Sequence, residues 1–172
     1  MTKERFLNEL IEDMMTVEAW GYLSKNFKWT EALLEKYLTK IDWEKLSDNA
    51  EMVWTQSILD KYKSFLRWDI LSRNYNSNVF SDANLERYKN YWNWSILSEN
   101  RHIEFTIETI EKYEDKWDWA ELIYTLDLSN ELSIETLERF VSNIPLDKLV
   151  HSAVWANAVW AKYNEIAQEI VS

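Results

Sequence analysis

The chain has no cysteine among its 172 residues, one glycine (Gly21), one proline (Pro145) and two histidines (His102 and His151). Without thiols it forms no disulfide, no zinc–thiolate site and no cysteine nucleophile. A single glycine cannot furnish a phosphate-cradling loop, and so little glycine and proline does not suit the many tight turns of a sheet protein. Two isolated histidines do not make a convergent ligand set, and Glu104 lies two residues from His102 rather than at the i+4 spacing of a helical ligand pair. Neither a metal nor any other cofactor is expected. Bases are also short: 19 Lys and Arg stand against 30 Asp and Glu, a formal charge of −11. That balance opposes direct nucleic-acid contact, which needs cations to displace counterions, and opposes an anionic membrane surface. It favours a partner with a basic surface. No apolar run is long enough for a membrane span, and the charged N-terminal residues lack the apolar segment of a signal peptide, so a cytoplasmic location is expected.

What the chain has in quantity is aromatic residues: 11 Trp, 9 Tyr and 6 Phe, within an apolar content of 47%. These recur. The pattern Trp-x-x-Leu-Ser-x-Asn occurs at Trp20–Asn26, Trp43–Asn49, Trp68–Asn74 and Trp94–Asn100. Worn copies start at Trp119, with Leu122, and at Leu146, with Leu149. The starts are 23, 25, 26, 25 and 27 residues apart, the mark of a repeat architecture. Each copy has a second half, in which a large apolar residue precedes Thr or Ser: Trp29-Thr30, Trp54-Thr55, Phe80-Ser81, Phe105-Thr106 and Leu132-Ser133, with Trp155-Ala156 in the last copy. Phe6-Leu7 fits the same register. At 4, 7 and 11 residues beyond the Thr or Ser stand Leu34, Tyr37 and Ile41, then Leu59, Tyr62 and Leu66, then Leu85, Tyr88 and Trp92. Those spacings share one helix face.

The Thr or Ser is read as an N-cap, with the preceding aromatic and the Leu four residues on as a hydrophobic staple. The Trp-x-x-Leu-Ser half is read as a short helix capped by Asp42, Asn93 or Asp118. The Asn that closes it is expected at a left-handed helix end, where Asn replaces the usual Gly. By that reading Asn74→Gly is neutral and Asn74→Val is not. Trp68, Tyr88 and Trp94 are expected in the core.

The expected fold is all-α: a single domain over 1–172, built as a short α-solenoid of about six helix-turn-helix repeats of 23–27 residues after a lead-in helix over 1–19. The pattern resembles the tandem tryptophan-rich repeats (Trp-Asp-Trp followed by Leu-Ser-x-Asn) of bacterial and phage-type proteins of uncharacterised function. Trp117-Asp118-Trp119, Trp92-Asn93-Trp94 and the four Leu-Ser-x-Asn copies carry that resemblance, which implies a fold and no activity.

The repeated Ser24, Ser47, Ser72 and Ser98 mark a structural position rather than a nucleophile, because no histidine held by an acid accompanies each one. The carboxylates are read as solvated helix faces. No enzymatic activity is expected. Aromatics outside the repeat register, namely Tyr22, Tyr75, Tyr91, Tyr124 and Trp160, are the binding candidates, since an exposed ring is best covered by a partner. The expected function is a non-catalytic module that binds a protein or peptide. The alternative is an acidic inhibitor or nucleic-acid mimic of phage type that blocks a basic surface on its target. The capping assignment is testable: Thr55→Ala should lower stability by about 1 kcal/mol in a denaturant titration, and an unchanged midpoint would place the helix start elsewhere.

Overall fold

The computed structural model of the protein describes residues 3–128 and 132–171. Among these it is all-helical, with no strand. Two compact units form, Met1–Asn93 and Trp94–Ser172. The first contains α1 (Lys3–Asn26), α2 (Glu31–Lys36), α3 (Trp43–Ser47), α4 (Gln56–Tyr62), α5 (Trp68–Leu71), a 3-10 helix (Ser77–Phe80) and α6 (Asp82–Arg87). The second contains α7 (Trp94–Ser98), α8 (Ile107–Lys112), α9 (Trp119–Leu128), α10 (Ile134–Phe140), α11 (Leu146–Leu149) and α12 (Ala153–Val171). The lead-in segment and the first Trp-x-x-Leu-Ser motif are one uninterrupted helix, α1. The side chains of Phe6 and Leu7 lie outside the described residues.

Most of the capping residues perform as the sequence predicts. The hydroxyls of Thr30, Thr55, Thr106 and Ser133 accept the backbone N–H three residues on, at Leu33, Ile58, Thr109 and Thr136. Asp42 caps α3 in the same way, through the Lys45 N–H. Ser81 precedes α6 without a side-chain cap bond. The last copy differs: α12 opens at Ala153, three residues before Ala156, because Ser152 accepts the Trp155 N–H and so supplies the cap that Ala156 has no oxygen to provide.

The stapled stripe is the core. Trp29, Leu34, Ile41, Trp54, Leu59, Tyr62, Leu66, Phe80, Leu85, Tyr88 and Trp92 are all buried in the first unit, as are Ile110, Tyr113, Trp117, Phe140 and Ile144 in the second. Trp68 packs on Tyr88 with ring centroids 5.2 Å apart, and Trp94 on Tyr113 at 4.8 Å. Trp68 is buried, whereas Trp94 is only half-buried. The helices carrying the stripe are shorter than its length suggests. α2 stops at Lys36, and the chain reaches Ile41 through a turn in which Tyr37 O accepts from Lys40 N–H and Ile41 N–H. Indoles serve the carbonyls that such early endings release: Trp68 Nε1 donates to Lys63 O and Trp119 Nε1 to Glu114 O, at 2.9 and 3.1 Å.

The Ser and Asn of the motif join one repeat to another. Each Ser hydroxyl donates to the carbonyl four residues back and accepts a backbone N–H from the next repeat. Ser24 Oγ bonds Trp20 O at 2.7 Å and receives Asp42 N–H at 3.0 Å. Ser47 does the same with Trp43 O and Arg67 N–H, and Ser72 with Trp68 O and Asn93 N–H. In the second unit Ser98 joins Trp94 O to Asp118 N–H. All four serines are fully buried.

The Asn side chain reaches the opposite way. Asn49 Nδ2 donates to Ser24 O and Phe27 O of the preceding repeat at 2.8 and 2.9 Å, while its Oδ1 accepts Glu51 N–H. Asn74 donates to Ser47 O and Asn49 O and accepts Asn76 N–H. The carboxamide thus has a role that glycine could not fill. The Asn74 carboxamide pairs two buried backbone carbonyls and a part-buried N–H that a bare Cα would leave without those partners.

Exposed ion pairs follow the same spacing. Lys25 meets Asp48 at 2.7 Å, Lys61 meets Glu31 at 3.4 Å, and Arg87 meets Asp60 at 2.7 Å. Each such pair contributes little on its own. The Asp60 carboxylate is the most engaged, holding both Nε and Nη2 of Arg87 and the Tyr88 hydroxyl. The Arg87 hydrogen bond leads in holding its pKa below the ordinary value of 3.8, with Tyr88 adding to it and desolvation opposing.

Two tests follow. Asn74→Gly should destabilise the protein by roughly 1–3 kcal/mol, the cost of leaving buried backbone groups unpaired; a glycine variant that unfolds with the wild type would return the position to a purely conformational role. For Asp60, the folded-state pKa is depressed, so its stabilising effect is fully present above pH 3.8 and is lost as the pH falls from there through the lower folded-state value. Asp60→Asn should therefore flatten the acid limb of a stability-versus-pH curve and leave its neutral limb parallel to wild type.

Candidate functional site

The inward Leu of the motif should be buried in every repeat, and in five of the six copies it is. Leu46, Leu71, Leu97 and Leu122 are each 0% exposed and Leu149 is 9% exposed, but Leu23 is 39% exposed. The reason lies in α1. In α3, the helix carrying Leu46 packs against the helix of the preceding repeat, α1. In α1, the residues before the motif continue the same helix and cannot fold back over it. Asn26 shows the same lack: its Nδ2 turns to Tyr22 O within α1 at 2.9 Å, where Asn49 and Asn74 reach another repeat.

Residues 8–19 of α1 are exposed on every side, and many of them are apolar. Leu10, Ile11, Met14, Met15, Val17, Tyr22 and Leu23 are exposed, and Phe27 beyond its end is exposed too. Met15, Glu18, Ala19, Tyr22 and Leu23 line a shallow depression of about 610 Å³. A second, of about 500 Å³, runs along Asp13, Met14, Val17, Glu18, Asp42 and Lys45. α1 is packed near its C-terminal end. There Trp20 stacks on Trp29 and Tyr37, and the Lys45 side chain crosses Gly21 so closely that a Cβ would stand 2.5 Å from its Nζ.

Of the aromatics singled out from sequence, Tyr22 sits in this open face and is 70% exposed. Tyr75, Tyr91, Tyr124 and Trp160 are exposed as well, though not in the depressions around Tyr22. Tyr91 leans on Trp68 at 5.0 Å, and Trp160 stacks on Tyr163 at 5.1 Å along α12. That helix exposes Val159, Tyr163, Ile166 and Ile170 at spacings of one face. Sequence reasoning missed Leu23 and Met15. Leu23 carries the same motif as its buried counterparts, and Met15 lies outside the motif. Only the pattern of apolar residues along α1, read as an amphipathic helix, could have pointed to them.

No group of three or more acids and histidines among the described residues is placed to hold a metal ion. No helix among them is long and apolar enough to cross a membrane. No family model, curated protein or solved structure matches the chain.

The exposure difference has a direct energetic consequence. Leu46→Ala should cost about 2–5 kcal/mol, as a buried leucine does when truncated, while Leu23→Ala should cost well under half of that. Equal losses in parallel denaturant titrations would mean that Leu23 is covered in solution.

Proposed function

We propose that this protein is a non-catalytic, protein- or peptide-binding module, built as a short solenoid of about six helical repeats, with the open face of α1 as its binding surface. The observation that carries this reading is Leu23, a residue of the core motif left 39% exposed among Met15, Ala19 and Tyr22. The repeat hydrogen bonds support the solenoid, since the same Ser-to-amide link recurs at Ser24, Ser47 and Ser72 in one unit and at Ser98 in the other. Covering apolar surface is worth about 25 cal/mol per Å², so a face of this kind gains most from a partner that brings its own apolar side chains.

The alternative, an acidic decoy that blocks a basic surface, requires carboxylates set in uninterrupted stripes, as phosphates are. The acids at Glu31, Asp60 and Glu111 are each engaged by a base, Lys61, Arg87 and Arg139 respectively, and that interleaving favours the binding module.

The test is an affinity capture from host lysate with three baits: wild type, Leu23→Asp and Tyr124→Ser. Leu23 and Tyr124 are both exposed, so both variants should fold. A protein retained by wild type and Tyr124→Ser but lost with Leu23→Asp supports the reading. Retention of nothing, or of the same proteins by all three baits, overturns it.

A further inference from the structure

Three observations on α1 limit what can cover it. The first is geometric. Within the first unit, the surface equivalent to the one around Leu23 is the face of α3 around Leu46, which is fully buried, and the element against which α3 packs is a helix. The second is an apolar stripe in which Ile11, Met15, Ala19 and Tyr22 follow one another at spacings of 4, 4 and 3, on one side of the helix over several turns. Met15 in that stripe makes it adaptable to differently shaped side chains. The third is charge. Between Arg5 and Lys25 the sequence has Glu9, Glu12, Asp13 and Glu18, and not one Lys or Arg. Glu9 is met by Arg5 at 2.9 Å, and Asp42 beside the second depression by Lys45 at 3.9 Å. Glu12, Asp13 and Glu18 are exposed and meet no base among the described residues. Glu18 stands inside the apolar face itself, lining both depressions.

We infer that the occupant of the α1 face is a basic amphipathic helix, with apolar residues against Met15, Tyr22 and Leu23 and Lys or Arg residues toward Glu12, Asp13 and Glu18. The inference rests on the proposed binding function and deepens it. An apolar helix face supplies the burial that Leu23 lacks, as helix-in-groove recognition does elsewhere. The three acids then set which helix is accepted, because complementary rim charges act on choice and association rate more than on total affinity. A second copy of α1 fits poorly: its acids would have to lie beside the same acids, with the only bases at its two ends.

The experiment uses the full chain and two fluorescent designed peptides of about 18 residues, long enough for five helical turns. Both carry one leucine stripe; one has Lys and Arg on its polar face and the other has Glu. Anisotropy titrations should give about tenfold tighter binding for the basic peptide, the sum of a few exposed charge pairs. Raising the salt from about 50 to 500 mM should erase most of that difference. The triple variant Glu12→Lys, Asp13→Lys, Glu18→Lys should reverse the preference, and Leu23→Asp should weaken both peptides. Equal binding of the two peptides, no binding of the basic one, or a preference unmoved by the triple variant overturns the inference. So does sedimentation showing a wild-type dimer that Leu23→Asp dissociates. If lysate capture through Leu23 succeeds while the basic peptide fails, the helix assignment falls and the binding function stands; if both fail, the function falls with it.

Discussion

Each intact repeat of this protein turns on one buried hydroxyl. A serine near the end of a short helix donates to the carbonyl four residues back, a bond that closes its own helix. The same oxygen accepts the first amide of the next repeat's helix, as Ser24 does for Asp42 and Ser47 for Arg67. That amide is one of the orphan donors that every helix start must satisfy. Because the serine is buried, leaving the bond unmade is costly, so successive repeats have little freedom to slide past one another. The apolar core supplies the stabilising burial, and the serine fixes the register in which that burial occurs.

The asparagine completes the device from the other side. Ser24, Ser47 and Ser72 reach forward, while Asn49 and Asn74 reach back to carbonyls of the preceding repeat. Each interface so joined carries polar bonds in both directions. The two end copies lose these residues. Ile123 and Thr125 stand where the Ser and Asn would be after Leu122, and Val150 and Ser152 after Leu149. The C-terminal part therefore depends more on apolar packing, with Leu122, Ile123 and Leu126 all buried in α9.

The same logic accounts for the open face of α1. A repeat is completed by its neighbour, and the first motif is formed inside a long helix whose earlier turns cannot act as that neighbour. Leu23 is exposed for this reason and not because its local sequence differs. The acids that flank it are a separate feature of α1, and their excess over bases between Arg5 and Lys25 is local to that helix.

The sequence by itself determined the helices' existence, their caps and the buried stripe, because these depend on residues within a few positions of one another. Thr30, Thr55, Thr106 and Ser133 cap amides three residues away, and Leu34, Leu59 and Leu85 fall on faces set by helical spacing. The aromatics it singled out as breaking the register, Tyr22 among them, are exposed. The tertiary structure decided the rest. The cross-repeat partners of Ser24 and Asn49 lie 18 to 25 residues away, and no local pattern says whether a hydroxyl or carboxamide also reaches across to another repeat. Leu23 and Leu46 sit in the same motif, yet one is open and the other closed, because burial belongs to the neighbouring element and not to the residue.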